Sequence, residues 1–179
     1  MSSEFEALDR QVQWTGKFIR AGTERFRHAD GVEVQRDKVW HPGAVGVLAL
    51  DQTAVWLTRQ PREVIGAAAS LEIPAGKLDV PGEPPLRTAQ RELAEEVGLR
   101  AARWTELLDI YTSPGFSDER VWLYEARELS PAGDAQAEED ERIEIVPWPL
   151  DRLDEAISQC SDAKSLVALL WLQARQPGS

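Results

Sequence analysis

"GKLDVPGEPPLRTAQRELAEEVGL", residues 76–99, joins a loop punctuated by glycine and proline to a helix crowded with glutamates. Pro84 and Pro85 sit in the first turn, where a missing amide hydrogen is no loss, and Gly98 supplies the stop. At about 100° per residue, Leu86, Ala89, Leu93 and Val97 form one apolar stripe that faces a core. Glu92, Glu95 and Glu96 fall together beside that stripe, and Arg91 stands four residues before Glu95. Like charges at this spacing cost a few tenths of a kcal/mol per pair, and they lie toward the helix end that the macrodipole disfavours. A solvated face carries such pairs often. Here, however, the carboxylates border the stripe rather than oppose it, a position that suits hard divalent cations with oxygen ligands. Spacing alone leaves both readings open.

Outward from the helix, "AVGVLALD" and "AVWLTRQ" read as a hairpin of buried strands linked through Asp51 and Gln52. "PREVIGAAASLEIPAG" reads as a loop leading to a short strand around Leu71 to Ile73, ended by Pro74 and Gly76. Beyond the helix come strands in "WTELLDIYTS" and "RVWLYEARELS", parted by the turn-rich "PGFSDE". A polar loop, "PAGDAQAEEDER", precedes the strand "IEIVPWPL", and two helices, "LDRLDEAISQ" and "DAKSLVALLWLQARQ", follow. At the other end "VQWTGKFIRAG", "TERFRH" and "VEVQRDKVW" predict a small antiparallel meander, with "HADG" as its turn. Strands on both sides of a central helix describe an α/β fold with a mixed sheet sandwiched by helices. The expected division is a meander over residues 1–41 and a main domain over 42–179.

The chain has 179 residues, 31 acidic against 20 basic, for a formal charge of −11. That balance argues against nucleic-acid backbones and anionic membranes as partners, though a metal ion can reverse the local field for a small anionic substrate. One cysteine, Cys160, excludes an internal disulfide, and two histidines, His28 and His41, cannot make a histidine-rich metal site. "LVALLWL" is too short to span a bilayer, and the N-terminus lacks the pattern of a leader, so a cytoplasmic location is expected.

Gly76, Glu83, Arg91, Glu92, Leu93, Glu95, Glu96, Gly98 and Leu99 closely resemble the signature of the Nudix hydrolases. The loop between Gly76 and Glu83 is one residue longer than the family pattern. "LEIPAG" at residues 71–76, "RQPR" at 59–62, Pro114 sixteen residues beyond Gly98, and "PGFSDE" at 114–119 are similar to the ADP-ribose pyrophosphatase branch. The resemblance implies a Nudix-type α/β/α sandwich and hydrolysis of ADP-ribose to AMP and ribose 5-phosphate. Two or three Mg²⁺ ions, or Mn²⁺, would serve as cofactor. Alternatives are another nucleoside diphosphate sugar or a dinucleotide as substrate, or a non-catalytic ADP-ribose sensor.

The same resemblance implies a metal cluster held by Glu92 and Glu96, with Glu95 as ligand or orienter, Glu83 direct or through water, and the Ala75 carbonyl. Arg91 would fix a glutamate by a salt bridge. The acidic loop would supply the general base at Glu139, with Glu138 its rival, and a further ligand at Glu141. Arg36 and Arg59 are candidate contacts to diphosphate or adenine, and Glu119, after Pro114, to a ribose hydroxyl or metal-bound water. A domain-swapped homodimer is implied, whose N-terminal strands help bind adenine. Phe18, Trp14, Phe26 and Trp40 are candidates to stack on the base, against the plainer reading of each as packing. Cys160, His28 and His41 carry no pattern of nucleophilic catalysis.

Overall fold

The computed structural model describes residues 4–133 and 142–175. The chain divides into two compact units, one of residues 1–43 with 111–120, the other of residues 44–110 with 121–179.

The first unit is built on a three-stranded antiparallel sheet, β1 (Phe5–Thr15), β2 (Arg20–His28) and β3 (Glu33–Trp40). Its first strand starts earlier than the polar opening suggests, and "VQWTGKFIRAG" holds a turn rather than one strand: Gly16 N–H donates to the Ile19 carbonyl. Two register shifts interrupt the β1–β2 ladder. Beside one of them, a Cβ on Gly22 would stand 2.0 Å from the Gln11 carbonyl oxygen, so glycine lets the strands approach. Residues 111–120 lie against β3, where the Val39 amide donates to the Phe116 carbonyl and the Asp118 amide to that of Val39.

The second unit is an α/β sandwich around a mixed sheet, ordered β10 (Glu144–Pro149), β5 (Ala54–Arg62), β4 (Ala44–Leu50), β9 (Arg120–Pro131), β8 (Leu99–Tyr111). Pairing is parallel between β4 and β9, and antiparallel between β5 and both β4 and β10. β4 reads as an unbroken apolar run because both of its faces are covered. Leu48 and Leu50 pack with Leu169 and Leu172 of α3 (Ala163–Gln173) and Ala156 of α2 (Leu153–Gln159). Val45, Val47 and Ala49 pack on the other side with Ala89, Leu93 and Val97 of α1 (Pro85–Val97). The prolines of β10 fall on an edge strand, and Pro61 of β5 falls at a register shift, positions that tolerate a missing donor. No helix among the described residues is long and apolar enough to cross a membrane.

The β4–β5 ladder is short, Ala49↔Trp56 and Leu50↔Val55, after which the strands take other partners. β6 (Ala67–Glu72) pairs with β5, and β7 (Ala75–Lys77) pairs with β4. Residues 72–75 therefore cross from one strand's edge to the other's. "AAASLE" joins the sheet as a full strand, where the sequence suggests mostly loop, because β5 extends through Arg62 and offers it an edge.

Candidate active site

α1 begins with Pro84 at its N-cap and Pro85 in its first turn, and ends at Gly98, whose φ of +70° lets its amide donate to the Ala94 and Leu93 carbonyls. The buried side of the helix carries Thr88, Ala89, Leu93, Glu96 and Val97. Leu86 departs from the expected stripe and is exposed, since Thr88 turns inward in its place. Glu96 lies within the buried face, 5% exposed, and accepts from the Ala75 amide at 2.9 Å. Glu92 sits beside it against β7. A Cβ on Gly76 would stand 2.0 Å from the Glu92 carboxyl carbon and one of its oxygens, so any larger residue there would push that carboxylate from its seat.

The longer loop before Glu83 closes on the Pro81–Gly82 pair, where Gly82 has φ of +80° and Glu83 N–H donates to the Val80 carbonyl. Its carboxylate thereby reaches α1. Thr88 Oγ1 donates to Glu83 Oε2 at 2.9 Å, and Arg91 Nη2 lies 3.4 Å from the same oxygen. Arg91 Nη1 is 2.9 Å from both Glu92 Oε1 and Glu95 Oε2, and Asp79 stands 3.9 Å from Nη2. Burial alone would lower the Arg91 pKa, but Glu92, Glu95 and Glu83 outweigh it and hold the guanidinium above its ordinary value. Thr88 carries no sequence signal of this role, because its contact with Glu83 depends on how the loop before α1 folds back.

Among the described residues no three acidic, histidine or cysteine side chains converge as a ready metal cage. The residues present nevertheless fit a hard divalent ion: the donors are all oxygens, and the space beside Gly76 admits one of the carboxylates. Glu138, Glu139 and Glu141 lie outside the described residues. Arg59, on β5, stands directly opposite Glu144 of β10, with Nη1 3.2 Å from its carboxylate.

The other candidates belong to the first unit. An open groove of about 470 Å³ is lined there by Phe26, Arg36, Lys38, Pro114, Phe116 and Asp118, among others. It brings together Arg36, Pro114 and Phe26 from three separate stretches of sequence. Lys38 was not anticipated; its Nζ lies 2.7 Å from Glu24 and 3.5 Å from Asp118. Burial opposes its charge, and these two carboxylates overcome that and raise its pKa. Trp40 is buried, so it serves packing, while Phe18 is half-exposed and meets the His41 ring edge-on at 5.6 Å. Glu119 accepts from Thr112 Oγ1 and stands 3.7 Å from His41 Nε2. His41 thus has a place in this loop cluster that its distance in sequence concealed. Cys160 is buried, its thiol pKa pushed up by that burial, and it donates to the Leu71 carbonyl.

A NUDIX domain model matches residues 40–170. An ADP-ribose pyrophosphatase of Bacillus subtilis is 36% identical over 98% of this chain and 96% of its own. One from Mycobacterium tuberculosis is 40% identical over 81% of this chain and 70% of its own. A methanol dehydrogenase activator of Bacillus methanolicus is 34% identical over 97% of this chain and 95% of its own. Among solved structures, the crystal structure of an ADP compounds hydrolase shares the fold with a TM-score of 0.80, at 22% identity and 97% coverage of both chains.

Proposed function

This chain belongs to the Nudix family and is a pyrophosphohydrolase, and we propose that its substrate is ADP-ribose, split into AMP and ribose 5-phosphate. The observation that carries the chemistry is the carboxylate face of α1, with Glu92 seated against Gly76 and Glu96 against the Ala75 amide. Glu92, Glu96, the Ala75 carbonyl, Glu95 and Glu83 are the residues that would hold Mg²⁺ or Mn²⁺, with Glu141 from the acidic loop. Bound there, two or three such ions would neutralise the diphosphate and lower the pKa of an attacking water. Arg91 keeps Glu83, Glu92 and Glu95 oriented through its shared guanidinium. Glu139, with Glu138 as rival, takes the proton from water, a task open to a carboxylate not committed as a ligand.

The substrate assignment leans on the groove of the first unit. Phe26 offers a face for a base and Arg36 offers charge complementary to a nucleotide, while Lys38 is held by Glu24 and Asp118. Arg59 is a further diphosphate contact that must first part from Glu144. Glu119 is assigned a ribose hydroxyl. Residues 1–41 form a swapped homodimer in this reading, consistent with the exposed Phe5, Val12, Trp14 and Phe18. In this reading the protein works in the cytoplasm, and its formal charge of −11 speaks against nucleic acid or an anionic membrane as a partner.

Incubation with Mg²⁺ in ¹⁸O-water and a panel of nucleoside diphosphate sugars and dinucleotides tests the proposal. The expected result is AMP and ribose 5-phosphate from ADP-ribose, one of them labelled. Preference for a GDP sugar would favour the activity named for a Cronobacter sakazakii relative, a GDP-mannose pyrophosphatase 28% identical to this chain. Tight binding of ADP-ribose with no turnover of any member would replace the enzyme with a sensor. Glu139→Gln is expected to keep Mn²⁺ affinity and lose most turnover, whereas Glu92→Gln damages both.

A further inference from the structure

Residues 72–75 are held by a series of hydrogen bonds and ion pairs, and the ties come from both layers of the sandwich. The Glu72 carboxylate, 2% exposed, takes a two-pronged contact from Arg62, at 2.7 and 2.8 Å, and a third from Lys164 Nζ at 2.9 Å. The Ile73 amide donates to Ser165 Oγ at 2.9 Å. Pro74 has no amide hydrogen, and its carbonyl accepts from the Val47 amide at 2.8 Å. The next amide, that of Ala75, is the one that holds Glu96.

On α3 the partners of this segment are themselves linked. Asp162 caps the helix, accepting from the amide and hydroxyl of Ser165, and its Oδ2 lies 2.9 Å from Lys164 Nζ. A closed ring follows: Glu72, Lys164, Asp162, Ser165 and back to the Ile73 amide, next to Glu72 in the chain. Because the Ser165 hydroxyl gives its hydrogen to Asp162, its lone pair is aimed at Ile73 and cannot turn away without losing that bond. Ser165 is fully buried, so no water replaces it.

We propose that Ser165 is a positioning residue for metal binding: through the Ile73 amide it sets the backbone of residues 73–76, and so the seats of Glu96 and Glu92, from the opposite layer of the sandwich. The inference rests on the reading that the acidic face of α1 holds the metal. Residues that orient ligands without touching the ion commonly change metal affinity by 10–100-fold when removed. Coupling of this kind is reciprocal. If the Ser165 bond favours the metal-competent backbone, the metal must strengthen that bond by the same factor.

Mn²⁺ titration followed by electron paramagnetic resonance, without substrate, reads the effect directly. Ser165→Ala is expected to weaken Mn²⁺ binding about tenfold, and Ser165→Thr, which keeps the hydroxyl, to restore most of it. Leu172→Ala, at the far end of the same helix, destabilises the fold and leaves the affinity unchanged. In the wild-type protein, saturating Mg²⁺ is expected to slow hydrogen exchange at the Ile73 amide by a similar factor, a readout that needs no variant. Unchanged Mn²⁺ affinity in Ser165→Ala, equal weakening in Leu172→Ala, or Ile73 exchange indifferent to Mg²⁺ overturns the proposal while leaving the metal site standing. A wild-type protein that takes up no Mn²⁺ overturns both.

Discussion

Glu72 and the glutamates of α1 belong to the same unit, yet Glu72 meets two cations, Arg62 and a Lys164 that it shares with Asp162, while Glu92 and Glu95 of α1 and Asp79 and Glu83 of the preceding loop share the one guanidinium of Arg91. Burial pushes the Glu72 pKa up, but Arg62 and Lys164 overcome it and bring it down to about 2. Lys164 is likewise opposed by burial and held charged by Asp162 and Glu72. Such a carboxylate has nothing left to offer a ligand. Around α1, four carboxylates contact the one guanidinium of Arg91, an acidic setting in which a further cation would relieve repulsion. The lesson is that charge balance, more than the number of acidic residues, separates the Glu72 cluster, which supports the fold, from the α1 face, which the proposal assigns to metal.

That contrast can be broken most forcefully at Lys164. Lys164→Met should destabilise the protein by about 3–5 kcal/mol, because it strips a partner from a buried carboxylate; Glu92→Gln should change stability by no more than about 1 kcal/mol. Equal losses in denaturant unfolding would show the two centres to be alike.

Acid supplies the next largest effect. The folded Glu72 pKa of about 2 lies below the ordinary value of 4.5, so its contribution is fully present above pH 4.5 and lost as pH falls toward 2. Unfolding free energies measured across that window should drop by on the order of 3 kcal/mol. A flat profile would mean that the Arg62 and Lys164 contacts do not hold in solution.

Gly76→Ala sharpens the comparison from the other side. The new methyl group must displace the Glu92 carboxylate, so turnover should fall roughly 10–100-fold while the melting temperature scarcely moves. Activity at the wild-type level would mean that the seat of Glu92 is unimportant.

The smallest effect is expected at Thr88→Val, which keeps the shape of a fully buried side chain and deletes the hydroxyl that donates to Glu83. A loss of about 1–2 kcal/mol in unfolding is expected. No change would show that Arg91 alone fixes Glu83.

Much of α1 was legible in advance because its information is local. Paired prolines, a terminal glycine and carboxylates three and four apart all act within a few turns, and the sandwich followed from the order of strands and helices. Leu86 was misjudged for the same reason: periodicity marks a stripe but not where the neighbouring layer ends. The groove of the first unit was legible only as separate suspects. Arg36 and Pro114 were named, but Lys38 and Asp118 gained meaning from residues 111–120 lying against β3.

By itself, the sequence determined an α/β sandwich and the acidic face of α1, since helix starts, stops and faces depend on neighbours in the chain, and its resemblance to the Nudix signature pointed to the family. Only the tertiary structure decided that Glu72 is spent on Arg62 and Lys164, that Arg59 faces Glu144, and that Ser165 of α3 holds the Ile73 amide. Hydrogen-bond and charge satisfaction in a buried layer is settled by whichever group folding brings within about 3 Å, and Ser165 lies 92 positions from Ile73.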